Sequence, residues 1–395
     1  HNANAGCQGL PGRRLVSSLD ISPVGDLLDD VRHGRAIVLV DDRDELRNEG
    51  VVMLAAEYCE AQHITLMARR ARGLVCLALT AEHCTQLALP PMVEGNGGEH
   101  ARFTLSIEAA HGIDTGISAA DRAHTVRVAV APQAAAGDIV QPGHIFPLRA
   151  EPGGVLVRAG HTEAAVDYAR IAELTPAAVI ADVLDASGNL ADARGLAAFA
   201  REHGLKLGTI ADLIHYRMDN ERTVERVREG SVSTRSGDFR LVTYRDQTRG
   251  DLHIALALGD IDAQTPTPVR VHATSTLRDV LGTQVSGTAD WSVDRCLKHI
   301  AQAGVGVLVL IGRHESDEQL LDSIDLALGH REPVAHRPSE IYNTVGLGSQ
   351  ILSDLGVGKI RLMGAPIKYN AISGFGLEVT EYLGIEDDSA DGKEP

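Results

Sequence analysis

The chain has 395 residues, enough for two domains of ordinary size; 44% are apolar and only 3% aromatic, so the cores must be built from Ala, Val, Leu and Ile. The formal net charge of −17 excludes nucleic acid and anionic membrane as general partners, because a phosphate-rich surface needs a basic counterpart. It leaves room for a small phosphorylated ligand held in one local pocket.

Taken in chain order, residues 1–19 read as a flexible arm or a cloning remnant with no apolar signal core. Ala36–Val40 reads as a buried strand, Leu74–Leu79 as another, Phe103–Ile107 as a half-exposed one and Ala177–Ile180 as a fourth. Amphipathic stretches lie between them at Ala61–Arg70, Ser118–Ala129 and Thr162–Glu173. Strands separated by helices of this length imply an α/β domain over residues 20–218. Tyr216–Gly237 is crowded with charge, including Arg217, Glu221, Arg226 and Glu229, and reads as an exposed helix running into a linker at residues 219–237. A second α/β domain is expected over residues 238–385. Its strands are Arg240–Tyr244, His253–Leu258, Val269–His272, Gly306–Ile311 and Lys359–Leu362, and its helices lie near Ser292–Ala303, Asp317–Leu328 and Gly348–Leu355. Residues 386–395 are acidic and nearly free of apolar side chains, so a disordered tail is expected. No apolar run approaches the roughly 18 residues of a membrane span. Cys7, Cys59, Cys76, Cys84 and Cys296 form no Cys-x-x-Cys pair, which predicts reduced thiols and a cytoplasmic protein.

Two segments carry chemistry. Gln141-Pro-Gly-His-Ile-Phe-Pro-Leu-Arg149 contains His144, and Arg158-Ala-Gly-His-Thr-Glu-Ala164 sits where the chain enters a helix. Thr162 suits an N-cap, the N–H groups behind it suit an anion, and Arg158 adds a fork-shaped charge suited to phosphate. His161 suits a metal or a proton. The alternative is a capped helix start and nothing more.

These segments, with Thr115-Gly-Ile-Ser-Ala-Ala-Asp-Arg122, Gly73-Leu-Val-Cys76 and Thr209-Ile-Ala-Asp-Leu-Ile214, occur in the order found in 3,4-dihydroxy-2-butanone 4-phosphate synthases, which residues 21–216 resemble. The resemblance implies a homodimer that takes ribulose 5-phosphate, releases formate and uses Mg2+ or Mn2+. It implies that Arg158 and Thr162 hold the phosphate, that His161 binds the metal, and that His144 reaches the neighbouring subunit's site. Asp121 and Arg122 would line the substrate pocket. Asp182 stands where the family has a catalytic Glu, one methylene longer. Gln141 replaces an Arg. The acidic segment Asp41–Val51 is one residue longer than the family's. Anchored on Asn48-Glu49-Gly50, it puts Arg47 at the metal-binding Glu, Leu46 at a substrate-binding Arg and Val51 at an Asp; anchored on Asp41-Asp42, it puts Glu45 at the Arg and Leu46 at the Glu. Glu45 or Glu49 remains a candidate to reach the metal beside His161, the alternative being two solvated loop carboxylates.

Residues 238–383 resemble GTP cyclohydrolase II through Arg270-Val-His-Ala-Thr-Ser-Thr-Leu-Arg-Asp-Val-Leu-Gly282, Gly346–Val357 and Gly374-Phe-Gly-Leu377. That family holds zinc with three cysteines, whose positions here are Ser275, Ser286 and Thr288, and a neutral hydroxyl is a poor zinc ligand. Glu315-Ser-Asp-Glu318 replaces a glycine- and arginine-bearing phosphate loop, Ile341 and Asn343 replace a catalytic Asp and Arg, and Lys368 alone survives. The expectation is no zinc and no GTP hydrolysis, leaving dimerisation, ligand binding or support of the first domain as the second domain's role. The resulting reading is an α/β, two-domain lyase acting on a sugar phosphate in riboflavin-type biosynthesis. The alternatives are a non-catalytic paralogue that binds a phosphorylated ligand, or new chemistry in a specialised pathway.

Overall fold

The computed structural model describes residues 20–42, 49–93, 102–248, 250–274, 276–281, 283, 291–312, 317–328, 330, 338–364 and 376–384. It divides into two units, the first ending at Arg217 and the second beginning at Met218.

In the first unit the strands are β1 (Ile37–Asp41), β2 (Glu49–Ala55), β3 (Cys76–Leu79), β4 (Ile107–Ala109), β5 (Ile139–Arg149), β6 (Ala177–Asp182) and β7 (Leu207–Thr209). Among the described residues they form one mixed sheet in the order β4-β5-β3-β6-β2-β1-β7. Its helices include α1 (Val24–Arg32), α2 (Ala61–Thr65), α3 (Ala81–Gln86), α4 (Ala119–Ala129), α5 (His161–Ile171), α6 (Ala193–His203) and α7 (Ile210–Asn220). The central strands are apolar on both faces because helices cover both, which is why β1 and β6 read as continuous apolar runs. One face packs Val38, Val40, Val52, Leu54, Leu77 and Val179 against Val126, Leu196 and Phe199. Each such side chain contributes about 1.5–3 kcal/mol on burial. α5 lies against β1, β2, β3 and β6 and is buried from Thr162 to Ala169. Ala164, Ala165 and Ala169 are fully buried, and their small side chains let the helix approach the sheet closely.

The second unit carries β8 (Val224–Thr234), β9 (Gly237–Asp246), β10 (Leu252–Leu258), β11 (Thr267–Ala273), β12 (Gly306–Ile311), β13 (Lys359–Met363) and β14 (Glu378–Leu383). Among the described residues they form one sheet in the order β14-β13-β11-β12-β10-β9-β8. α8 (Val293–Ala303) packs Cys296, Leu297 and Ile300 on one face, and α10 (Pro338–Asp354) packs Ile351 and Leu352 on the other. α9 (Asp317–Ala327) completes the helices.

Three sequence expectations are corrected. Residues 219–237 are not a linker: they hold the end of α7 and the whole of β8, an edge strand whose exposure accounts for its charge. Phe103 and Thr104 make only isolated bridges, and the strand begins at Ile107. The helix expected at Gly348–Leu355 starts ten residues earlier, at Pro338. The expected arm, tail and Glu45–Arg47 lie outside the described residues.

Candidate active site

The register of the first sheet collects acidic side chains at one end. Asp41, the last residue of β1, pairs with Glu49, the first of β2. Asp182, the last of β6, pairs with Val51. Side chains two apart on a strand, and those directly paired, share a face, so Asp41, Glu49 and Asp182 lie on one face of one edge. Gly73 lets the chain entering β3 pass against the Asp182 backbone, where any Cβ would collide.

α5 covers that face and runs antiparallel to β6, so its N-terminus arrives beside Asp182. The N-cap is Gly160, extended at φ −124°, and no side chain caps the turn. This corrects the expected cap at Thr162, which is the second helical residue and only 7% exposed. A glycine cap leaves the first-turn N–H groups open to a ligand, where the positive end of the helix favours an anion. Arg158 stands at the same place, with Nη1 at 3.2 Å from each carboxylate oxygen of the fully buried Glu163.

His161 opens α5. Its ring hydrogen-bonds the Glu49 carbonyl, while Nε2 is buried and has no hydrogen-bond partner among the described residues. Burial pushes its pKa below the ordinary histidine range against the opposing charges of Asp41, Asp182 and Glu49. The ring is therefore neutral near pH 7, with the free nitrogen in acceptor form. Among the described residues no set of three or more His, Cys, Asp or Glu side chains is spaced to hold a metal ion.

His144, Asp121 and Arg122 form a second group. His144 lies in β5, in the bulged stretch between Val140 and Ile145 that follows the cis Gln141–Pro142 peptide, and its Nδ1 bonds the Glu108 carboxylate. Glu108 also abuts Gly116, whose N–H donates to Asp121 at 3.0 Å. Desolvation pushes Asp121 upward, but bonds from Ser118 and from the Gly116, Asp114 and Thr115 backbone outweigh it, so its carboxyl titrates below the usual range. Arg122 is half-buried, and its Nε has no partner among the described residues. Sequence reasoning gave Glu108 and Glu163 no role; the alternation of β4 and the buried face of α5 were the signals available. A cavity of about 430 Å³ bounded by Glu57, Tyr58, Glu60, Ala120 and Arg127 lies past the other end of β2 and holds none of these residues.

In the second unit His272 is buried and its Nε2 lies 2.8 Å from Asp279 Oδ1. Ser275, Ser286, Thr288, Glu315 and Lys368 lie outside the described residues, as do the side chains of Ile341 and Asn343. Cys59, Cys76, Cys84 and Cys296 are buried, unbridged thiols.

The family model for 3,4-dihydroxy-2-butanone 4-phosphate synthase matches residues 25–216, and that for GTP cyclohydrolase II matches residues 225–384. A 3,4-dihydroxy-2-butanone 4-phosphate synthase of Pseudomonas aeruginosa is 50% identical over 367 residues, 93% of this chain and 100% of that protein. The riboflavin biosynthesis protein RibBA of Aquifex aeolicus is 41% identical, covering 92% of each chain. The crystal structure of RibBX, a two-domain 3,4-dihydroxy-2-butanone 4-phosphate synthase from A. baumannii, superposes with a TM-score of 0.78 at 45% identity, covering 92% of this chain and 100% of that one.

Proposed function

The chain belongs to the 3,4-dihydroxy-2-butanone 4-phosphate synthase family, and on that premise we propose that its first unit is a lyase converting ribulose 5-phosphate, or a similar sugar phosphate, with release of formate. The observation that carries this is the buried, unpartnered Nε2 of His161, set among Asp41, Glu49 and Asp182 at an uncapped helix N-terminus beside Arg158. Such a nitrogen costs stability unless something binds it. A phosphate at one end and a cation at the other would satisfy every group present.

In this reading Arg158, the Thr162 hydroxyl and the first-turn N–H groups of α5 hold the phosphate and orient the sugar. Asp182, exposed at the strand end, takes the proton next to the carbonyl. Mg2+ or Mn2+ fits the oxygen-rich surroundings, with His161 Nε2 and the Glu49 carboxylate as its protein ligands and water or substrate oxygens as the remainder. The bound ion supplies Lewis-acid polarisation of the substrate's carbonyl. His144, with Glu108, Asp121 and Arg122, serves the site of a second copy in a homodimer. Val51 at 2% exposure puts an apolar wall beside Asp182 where a polar contact is expected from the family, which points to slow turnover. We further propose that the second unit has no zinc and no GTP chemistry, because hydroxyl groups replace the thiolates.

The test is formate release from ribulose 5-phosphate with Mg2+. Wild-type protein is expected to exceed His161→Ala by about 100-fold or more, the scale of losing a ligand or a positioned catalytic group. Equal rates would end the synthase reading in favour of a non-catalytic paralogue.

A further inference from the structure

Two carboxylates with no part in the chemistry line one buried face of α5. Glu163 and Asp167 are one helical turn apart, which stacks them on the same side, and they are 0% and 3% exposed. Both reach back to the loop that precedes the helix. Glu163 Oε1 accepts the Glu151 N–H at 2.9 Å and also holds Arg158. Asp167 Oδ2 accepts the Val155 N–H at 2.8 Å. The same oxygen binds Arg217 Nη1 at 2.7 Å, and that nitrogen is also 2.8 Å from the Gly153 carbonyl to which it donates. Gly154, between these gripped residues, turns at φ +63°, and a Cβ there would run into the Asp167 carboxylate.

A buried ion pair is a poor device for stability alone, since apolar residues of similar volume often serve as well. Its use here is geometric. From two helices, three side chains fix the loop at Glu151, Gly153, Val155 and Arg158. That loop carries Arg158 and delivers the chain to Gly160 and His161. Without the grips, the turn from Glu151 to Arg158 would, among the described residues, be held to α5 only by backbone bonds such as that from the Gly160 N–H to the Arg158 carbonyl at 2.9 Å, and the Arg158 side chain would lose its anchor on Glu163.

We propose that Glu163, Asp167 and Arg217 are positioning residues that make Arg158 and the α5 N-terminus converge on one anion point and so set where the substrate's phosphate sits relative to His161. The inference rests on the sugar-phosphate reading of the site. Arg217 lies well outside every motif of the pocket and acts on it only through Asp167 and the loop.

The test uses the full chain and three variants. Arg217→Met leaves the buried Asp167 with only the 3.5 Å contact to Arg170 and the Val155 N–H, and is expected to fold poorly, so the decisive variant is Asp167→Leu with Arg217→Met, which removes both charges. Arg217→Lys keeps the charge but loses the fork. Three quantities are read: the KM and kcat for ribulose 5-phosphate, the Kd for inorganic phosphate by calorimetry, and the melting temperature. The double variant is expected to melt close to wild type while KM and the phosphate Kd rise together by about 10-fold and kcat changes by less than about threefold, the pattern of lost ground-state binding. Arg217→Lys should fall between. An unchanged phosphate Kd in either folded variant overturns the inference, as does a fall in kcat with KM unchanged. If wild type releases no formate, the lyase reading fails by itself, and the phosphate titration still decides the positioning claim.

Discussion

At the scale of single residues, the proposed function turns on Asp182 as the base. Its carboxylate sits at the end of β6, on the face and edge that carry Glu49 and Asp41, with Val51 directly opposite. A proton-transfer group one methylene short stands about 1.5 Å back from its target, and displacements of that size cost about 100-fold in rate. Asp182→Glu is therefore expected to raise kcat for formate release by about 10-fold or more, while Asp182→Asn abolishes it; a slower Asp182→Glu would show that this carboxylate is not the base. The Gly-His-Thr turn behind Arg158 was legible in the sequence as a helix start, and the roles proposed for Arg158, His161 and Thr162 came from the resemblance and not from the turn itself. The role of Arg217 was not legible. It stands at the start of a run of charges that reads as a solvated face, and nothing in the run distinguishes the one guanidinium that is 5% exposed. Burial of a charged side chain depends on a partner distant in sequence, here Asp167, and no periodicity reports it.

At the scale of elements, most strands and helices followed from apolar runs and their spacing, and β8 shows why one did not. β8 is an edge strand, exposed along almost all its length, so its sequence lacks the alternation that marks a half-buried strand. Its attachment is polar instead. Arg226 of β8 and Tyr244 of β9 both reach Asp354, the last residue of α10, at 2.7 Å. Desolvation pushes the Asp354 carboxyl upward, but the bonds from Tyr244 and Arg226 outweigh it, so its pKa is depressed in the folded protein. A depressed carboxylate adds stability that is present above the unfolded value of about 3.9 and is lost as pH falls through the folded value. Because Arg226 and Asp354 are each more than a third exposed, the contribution is small, about 0.5–1 kcal/mol. Asp354→Asn should therefore lower the urea midpoint of the second unit near neutral pH, and the difference should shrink as pH falls below about 3.9 and vanish below the folded value. A difference that persists unchanged at the lower pH would contradict the assignment.

At the scale of the whole molecule, two matching family models lie on two folded units. The second unit keeps its sheet, both helical faces and a buried His272–Asp279 pair. Shape survives because packing tolerates substitution as long as volume and pattern persist, whereas a metal centre fails when its ligands change type. Purified protein is accordingly expected to contain less than about 0.1 zinc per chain and to leave GTP intact, since a neutral hydroxyl cannot stand in for a thiolate. Stoichiometric zinc by metal analysis would refute this. The two-domain α/β plan was legible because both halves carry long runs of ordered motifs. The division between the units falls inside a helix, α7, after Arg217.

That last feature has a practical side for anyone wishing to study the halves in isolation. Arg217 and Asp167 belong to the upstream half, and β8 begins seven residues later at Val224. A gene split between codons 168 and 217 would strip the guanidinium from its carboxylate. One placed at codon 237, where charge alone suggests a hinge, would leave the downstream half with a naked β9 flank, open to sticking to its neighbours. A cut before Glu221 spares both, and keeps Glu221 and Thr223 bonded to Gln350.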